Sequence, residues 1–294
     1  MLLFKRCPNT CTCRYAFGTK DICNCRFKPP DIVNKKVVIL MVDMHAHILY
    51  GVDDGPKTEE ESLKMLEQAK NEGITEIIST SHAMHPRHHV SYMSVDTGIL
   101  HLRKLLVQND LQIKLHTGHE VRLNDQVNTL FHHEKLHTLA NSQFVLLELP
   151  SSTVPLYTKD IIIALKTAGY TPIIAHPERN LGIAQNPLKL VPLIQQGALT
   201  QVTAGSLSGH FGKSVQQLAL NLVQANYVHT YGSDAHDVKT RPFLFKAGLH
   251  YLEKQKEFSA IDRLLENNVR IVRNRPIPQL ELDEICVKKW WKIF

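Results

Sequence analysis

The chain has 294 residues, enough for one large α/β domain or two small ones. Its apolar fraction of 43% is ordinary for a soluble globular protein, and no apolar run reaches the roughly 18 residues needed to span a bilayer. The formal charge of +6 sits in residues 1–40, with eight Lys/Arg against two acids; the remainder balances 26 basic and 26 acidic residues, so no nucleic-acid partner is expected.

The same leader holds Cys7, Cys11, Cys13, Cys23 and Cys25, leaving only Cys286 elsewhere. The body is therefore not a disulfide scaffold. The pairs Cys11-x-Cys13 and Cys23-x-Cys25 are spaced more tightly than zinc-finger pairs, which argues against zinc there. Residues 1–40 read as a disordered basic arm, or as untranslated sequence with Met41 as the true start. They contain no apolar core of a secretory signal, so a cytoplasmic location is expected.

From Val37 onward, strand-like runs alternate with helix-like stretches. The first strand spans Val37–His47. Thr58 followed by Glu61 forms a capping box, opening a helix that stops near Gly73. Ile74–His82 is the second strand, and Val95–Gln108 a helix. Ile113–Glu120 and Phe144–Pro150 are the next strands, and a helix over Lys159–Ala168 follows. Thr171–Arg179 is a fifth strand-like run. Pro187–Gln196 reads as a short helix with Asn186 as its cap, although Pro192 inside it predicts a kink. Leu199–Ser206 is a strand, Val215–Ala225 an amphipathic helix, and Tyr227–His236 the last strand. One or two further helices and a Pro-containing stretch at Arg275–Pro278 lead to a tail over residues 285–294 that ends in KKWWKIF. That tail is expected to pack its tryptophans on the body, with peripheral contact to an anionic membrane as the competing expectation.

Seven strands in strict alternation predict parallel pairing and right-handed crossovers. Seven units favour a closed or nearly closed barrel, and no Gly-x-Gly-x-x-Gly follows the first strand to suggest a dinucleotide fold. A barrel of this kind gathers all its strand ends on one face. There the chemistry-bearing residues cluster: His45, His47, Asp54, His82, Glu120, Glu148, His176, Asp234 and His236. His45-x-His47 and Asp234-x-His236 each place two donors on one face of a strand. Pro177 is expected to hold His176 extended. Arg179 and Arg241 would bring planar forks suited to phosphate. Taken singly, each residue is as readily a hydrogen-bonded rim group or a surface ion pair. No Gly-x-Ser-x-Gly elbow and no thiol-phosphatase cysteine loop is present, so metal ions would have to supply the nucleophile. Mixed imidazole and carboxylate ligation suits Mn²⁺, Fe²⁺ or Zn²⁺.

At these motifs the chain resembles the PHP (polymerase and histidinol phosphatase) superfamily and, within it, the bacterial capsule and exopolysaccharide tyrosine-protein phosphatases of the CpsB/YwqE kind. MVDMHAHILYGVDDGP, TSH, GHEVR, HPERN, TAGSLSGHFGK and SDAHDVKTR carry the resemblance, which starts at Met41. It implies an α/β fold, a distorted seven-stranded (β/α)7 TIM-like barrel over residues 41–284, and two or three metal ions, Mn²⁺ foremost. By resemblance, one ion takes His45, His47, Glu120 and Asp234. A second shares Glu120 and adds Glu148 and His176, and a third takes Asp54, His82 and His236. Arg179 and Arg241 match phosphate-binding arginines. The implied substrate is phosphotyrosine on a membrane-associated bacterial tyrosine kinase that controls polysaccharide synthesis. Relatives usually carry a second histidine where this chain has Ala83; His85, His88 and His89 follow instead. Either His85 or a water is the expected proton donor. A small-molecule phosphoesterase such as a histidinol phosphatase would use the same ligands. A metal-dependent binding module and an amidohydrolase compete less well. The full ligand set with both arginines disfavours the first, and the second often has a strand-end lysine, which has no counterpart in this sequence.

Overall fold

The structure is a computed structural model that describes residues 40–285 apart from residue 134. The cysteine pairs of the leader, the start of the run at Val37 and the Trp-containing tail from residue 286 lie outside the described residues.

The alternation read from the sequence becomes a single parallel sheet. In chain order the elements are β1 (Val42–Ala46), α1 (Glu59–Asn71), β2 (Glu76–Ala83), α2 (Tyr92–Gln108), β3 (Lys114–Arg122), α3 (Val127–His132) and β4 (Phe144–Glu148). Then come α4 (Thr158–Thr167), β5 (Thr171–Ala175), α5 (Leu181–Gln185), α6 (Val191–Gln195), β6 (Leu199–Thr203), α7 (Ala204–Ser208), α8 (Lys213–Gln224), β7 (Thr230–Gly232), α9 (Phe245–Lys254) and α10 (Phe258–Val272). The seven strands are hydrogen-bonded neighbours in sequence order, and every pairing is parallel. Both faces of the sheet are apolar, as parallel strands covered by helices require. Met44, Ile78, Leu146 and Ile173 pack together on one side, while Val145, Leu147, Ile174 and Val202 join the larger core against the helices.

The barrel nearly closes between β1 and β7, and it does so by unusual means. At the rim, the Asp234 N–H donates to the His45 carbonyl (2.7 Å) and the His47 N–H to the Ala235 carbonyl (2.8 Å). Deeper in, Asn268 of α10 stands between the two strands. Its Nδ2 donates to the Val42 and Tyr231 carbonyls (2.8 and 2.6 Å), and its Oδ1 accepts from the Tyr231 N–H (3.2 Å). One amide side chain thus replaces part of a missing ladder. Gly232 permits the approach, since a Cβ there would lie 2.8 Å from His45 Cβ.

Local signals held where capping chemistry was explicit. Thr58 Oγ1 accepts from the Glu61 N–H at the start of α1 (3.3 Å). The helix expected over Pro187–Gln196 divides into a 3₁₀ turn, Pro187–Leu190, and α6. Pro192 falls in the first turn of α6, where a missing N–H leaves no bond unmade. The last strand is three residues long rather than ten, and beyond its C-terminal end Asp234 turns into a left-handed conformation (φ 55°). The short helix α3 had no clear periodic signal.

Candidate metal centre

The C-terminal strand ends deliver their polar side chains into one cleft of about 410 Å³, lined by Asp54, His82, Glu120, Glu148, His176, Arg179, Asp234 and Arg241 among others. His45, His47, Glu120 and Asp234 each offer an atom within 4.8 Å of the others. His47, Asp54, His82 and His236 form a second such group, and His82, Glu120 and Glu148 a third. The ring centroids of His47 and His236 are 3.9 Å apart, and those of His45 and His47 5.5 Å. All nine residues singled out in the sequence therefore meet at one site. Their grouping differs in two respects from the partition given by resemblance: His47 also joins Asp54, His82 and His236, and His82 rather than His176 completes the group of Glu120 and Glu148, although His176 directs Nε2 at Glu120 Oε1 (2.8 Å) and His82 approaches Glu120 Oε2 with Nδ1 (3.1 Å).

Three imidazoles are oriented alike. His45 Nδ1 donates to Gln201 Oε1 (3.1 Å), His47 Nδ1 to Asp53 Oδ2 (3.1 Å) and His236 Nδ1 to the Asp234 carbonyl (2.9 Å). Each ring then turns its Nε2 toward the cleft, the atom that offers a lone pair to a metal in the neutral tautomer. Holding one ring nitrogen in a hydrogen bond so that the other meets a metal is the usual support around such centres. The free atoms lie where a cation would be: His45 Nε2 is 3.2 Å from Asp234 Oδ1 and His236 Nε2 is 3.3 Å from Asp54 Oδ1. Seven buried atoms here lack a hydrogen-bond partner: Nε2 of His45, His47 and His236, His82 Nδ1, and one oxygen each of Asp54, Glu148 and Asp234. An unpartnered buried polar atom is costly. Seven around a common cavity fit divalent cations.

The electrostatics of the bare chain agree. Burial disfavours the charged form of His45, but Glu120 and Asp234 outweigh it and hold its pKa well above the usual range. His47 is likewise raised to about 9: burial opposes, while Asp53 and Glu120 prevail. Asp234 is held well below the ordinary carboxylate range against the cost of its burial, chiefly by Arg179 and Arg241. Glu120 is lowered in the same way by His45 and His176. His236 falls to about 4 through burial and the neighbouring His47. Protons on His45 and His47 occupy the place that metal charge would take.

Both arginines converge on one atom. Arg179 Nη2 donates to Asp234 Oδ2, and Arg241 Nη2 donates to the same oxygen at 2.8 Å, with Arg241 Nη1 3.5 Å from Asp54 Oδ2. Arg179 stands at the end of a short 3₁₀ turn after β5. The expectation for His176 is corrected at that turn: it is left-handed (φ 32°, ψ 55°), not extended. Pro177 disfavours the right-handed helical region at His176, and the chain reverses there, so the residue takes the other turn conformation.

Several residues that organise the site carried weaker sequence signals. Asp53 is one of two acids in the Gly51–Gly55 turn. It faces inward, where it binds His47 and accepts from the His82 N–H (3.1 Å) and the Gly55 N–H (3.0 Å), while Asp54 supplies the open oxygen. Gln201, inward-facing on β6, serves both His45 and the His176 N–H (3.3 Å). Strand alternation could have found it. Glu178 holds Thr203 through its hydroxyl (2.9 Å), and Arg122 pairs with Glu148 (3.0 Å). His85 stacks on His82 at 4.8 Å at the cleft edge.

A parallel barrel with a cluster of imidazoles and carboxylates at its C-terminal mouth defines a candidate polynuclear metal centre of the TIM-barrel type. Comparison with known proteins narrows this. The family model for capsular polysaccharide synthesis, CpsB/CapC, matches residues 41–273. CapC of Staphylococcus aureus is 36% identical over 85% of this chain and 99% of its own length. The tyrosine-protein phosphatase YwqE of Bacillus subtilis is 37% identical over 81% of this chain and 93% of its own. A crystal structure from work on YwqE and on CpsB of Streptococcus pneumoniae, described as metal-dependent tyrosine phosphatases, aligns with a TM-score of 0.81 at 36% identity, covering 85% of this chain and all of that one. The chain belongs to the CpsB/CapC family.

Proposed function

We propose that this chain is a metal-dependent protein-tyrosine phosphatase acting on a membrane-associated bacterial tyrosine kinase in capsule or exopolysaccharide synthesis. One observation carries the chemistry: the seven unpartnered donor atoms converge beside two arginines that share Asp234. His45, His47, Asp54, His82, Glu120, Glu148, His176, Asp234 and His236 would hold two or three ions, with Mn²⁺ first because hard carboxylates make up a large share of the donors. When bound, such ions supply Lewis-acid charge and an activated nucleophile. The chain's own part is orientation and charge. Gln201 and Asp53 fix the imidazoles, while Arg179 and Arg241 exchange Asp234 for the equatorial phosphoryl oxygens as charge gathers there. No helix among the described residues is long and apolar enough to cross a membrane.

The test is direct. Protein purified without chelator is analysed for metal and assayed with a phosphotyrosine peptide in excess Mn²⁺. Turnover that vanishes with EDTA and returns with Mn²⁺ supports the proposal. A metal-free preparation that hydrolyses the peptide at the same rate rejects it.

A further inference from the structure

The block TAGSLSGHFGK contributes none of the ligand-type residues, yet it reaches the cleft. Phe211 lines the same cavity as Arg179, Asp234 and Arg241 and is the only phenyl ring among its lining residues. The Arg179 guanidinium carbon lies over that ring, 5.1 Å from its centroid. The ring's seat is built by small residues: a Cβ at Gly205 would fall 2.7 Å from Phe211 Cε2. The turn is pinned on both sides. The His210 N–H donates to the Gly205 carbonyl (2.9 Å), and His210 Nε2 donates to the Thr240 carbonyl (2.7 Å), next to Arg241. The two arginines are thus tied to one loop whose apolar side chain faces the opening.

We propose that Phe211 is a specificity-determining residue that selects aryl over alkyl phosphomonoesters. The inference rests on the phosphatase reading of the site and deepens it. A phosphoryl group held by Arg179 carries its ester substituent beside Phe211. A tyrosyl ring there meets an aromatic partner whose orientation is fixed by the guanidinium on one face and Gly205 at its edge, and such ring pairs favour edge or offset contact. An aliphatic phosphoester has no ring to place.

Binding of phenylphosphonate and of methylphosphonate to the Mn²⁺-loaded full-length protein, measured by calorimetry, separates this from a bracing role. Phe211→Leu should weaken phenylphosphonate about three- to ten-fold and leave methylphosphonate within about two-fold, while Phe211→Tyr should keep the wild-type ratio. Equal weakening of both ligands would mean that the ring acts only through Arg179 and would overturn the proposal, as would an unchanged ratio. If the leucine variant does not fold, Phe211→Met provides the same comparison with an unbranched side chain. Loss of the parent reading is distinguishable: a wild-type protein that binds phenylphosphonate but never hydrolyses a phosphotyrosine peptide rejects the phosphatase function and leaves the binding ratio to decide the role of Phe211.

Discussion

The two ends of the barrel bury polar groups in opposite ways. At the N-terminal end Glu76 receives His116 (2.6 Å) and Arg273 (3.1 Å), and Asn268 spends its amide on three backbone groups of β1 and β7. At the C-terminal end Nδ1 of three imidazoles is satisfied, but the atoms facing the cavity are not. Scattered unpartnered atoms, such as Ser79 Oγ or, at the N-terminal end, His229 Nε2 and the Arg263 guanidinium, are not diagnostic. Seven that converge, three of them on imidazoles steered by a partner behind the ring, mark a place where the chain keeps its donors for something else. Burial alone therefore does not separate stability from function; the pattern of satisfaction does.

Substitutions at the two ends should separate in what they damage. The largest effect is expected from Asp234→Ala, which removes a cavity-facing donor and the shared partner of both arginines. Phosphatase turnover in excess Mn²⁺ should fall more than about 1000-fold, and wild-type activity in that variant would refute the site. Arg241→Ala should cost about 100-fold or more in kcat/KM on a phosphotyrosine peptide, with the folded state retained by circular dichroism. The opposite end should give the reverse outcome. Asn268→Ala loses bonds to both edge strands, so the urea midpoint should drop by the equivalent of about 2–3 kcal/mol, while kcat of the folded fraction stays near wild type.

The smallest effect concerns pH. Burial and the neighbouring Arg263 depress the pKa of His229 to about 4. Its neutral form is therefore favoured by folding. The stability it contributes is present above its unfolded pKa of about 6.5 and is lost as pH falls toward 4. Between pH 6.5 and 5.5 the wild type should lose about 1 kcal/mol more than His229→Gln in urea unfolding. An identical pH slope in both proteins would show that His229 is not held neutral.

How much of this was legible in the sequence depends on what each residue answers to. His45-x-His47 and Asp234-x-His236 were readable because each pair follows a β-branched apolar run, which located the strand end, although both pairs in fact straddle or follow that end: β1 stops at Ala46, and β7 stops at Gly232 before the left-handed turn at Asp234. The strand order followed from the alternation of elements. What could not be read was fixed by tertiary closure. His176 looked extended because Pro177 follows it, but the reversal after β5 demanded a left-handed residue. Asp53 and Asp54 are neighbours in a turn, and only the fold decides which one turns toward His47. Asn268 left a faint trace as an amide on the apolar stripe of α10, between Leu264 and Ile271; its partners lie 37 and 226 residues away.

The rim contacts between β1 and the segment after β7 bear on biosynthesis. His45 and His47 are made early on the ribosome, Asp234 and His236 nearly 190 residues later, and the same backbone bonds that shut the barrel set these four side by side. A chain that ends before Thr230 retains the group His82, Glu120 and Glu148 on β2 to β4, but the two groups that draw on Asp234 or His236 are complete only after the last strand has been made.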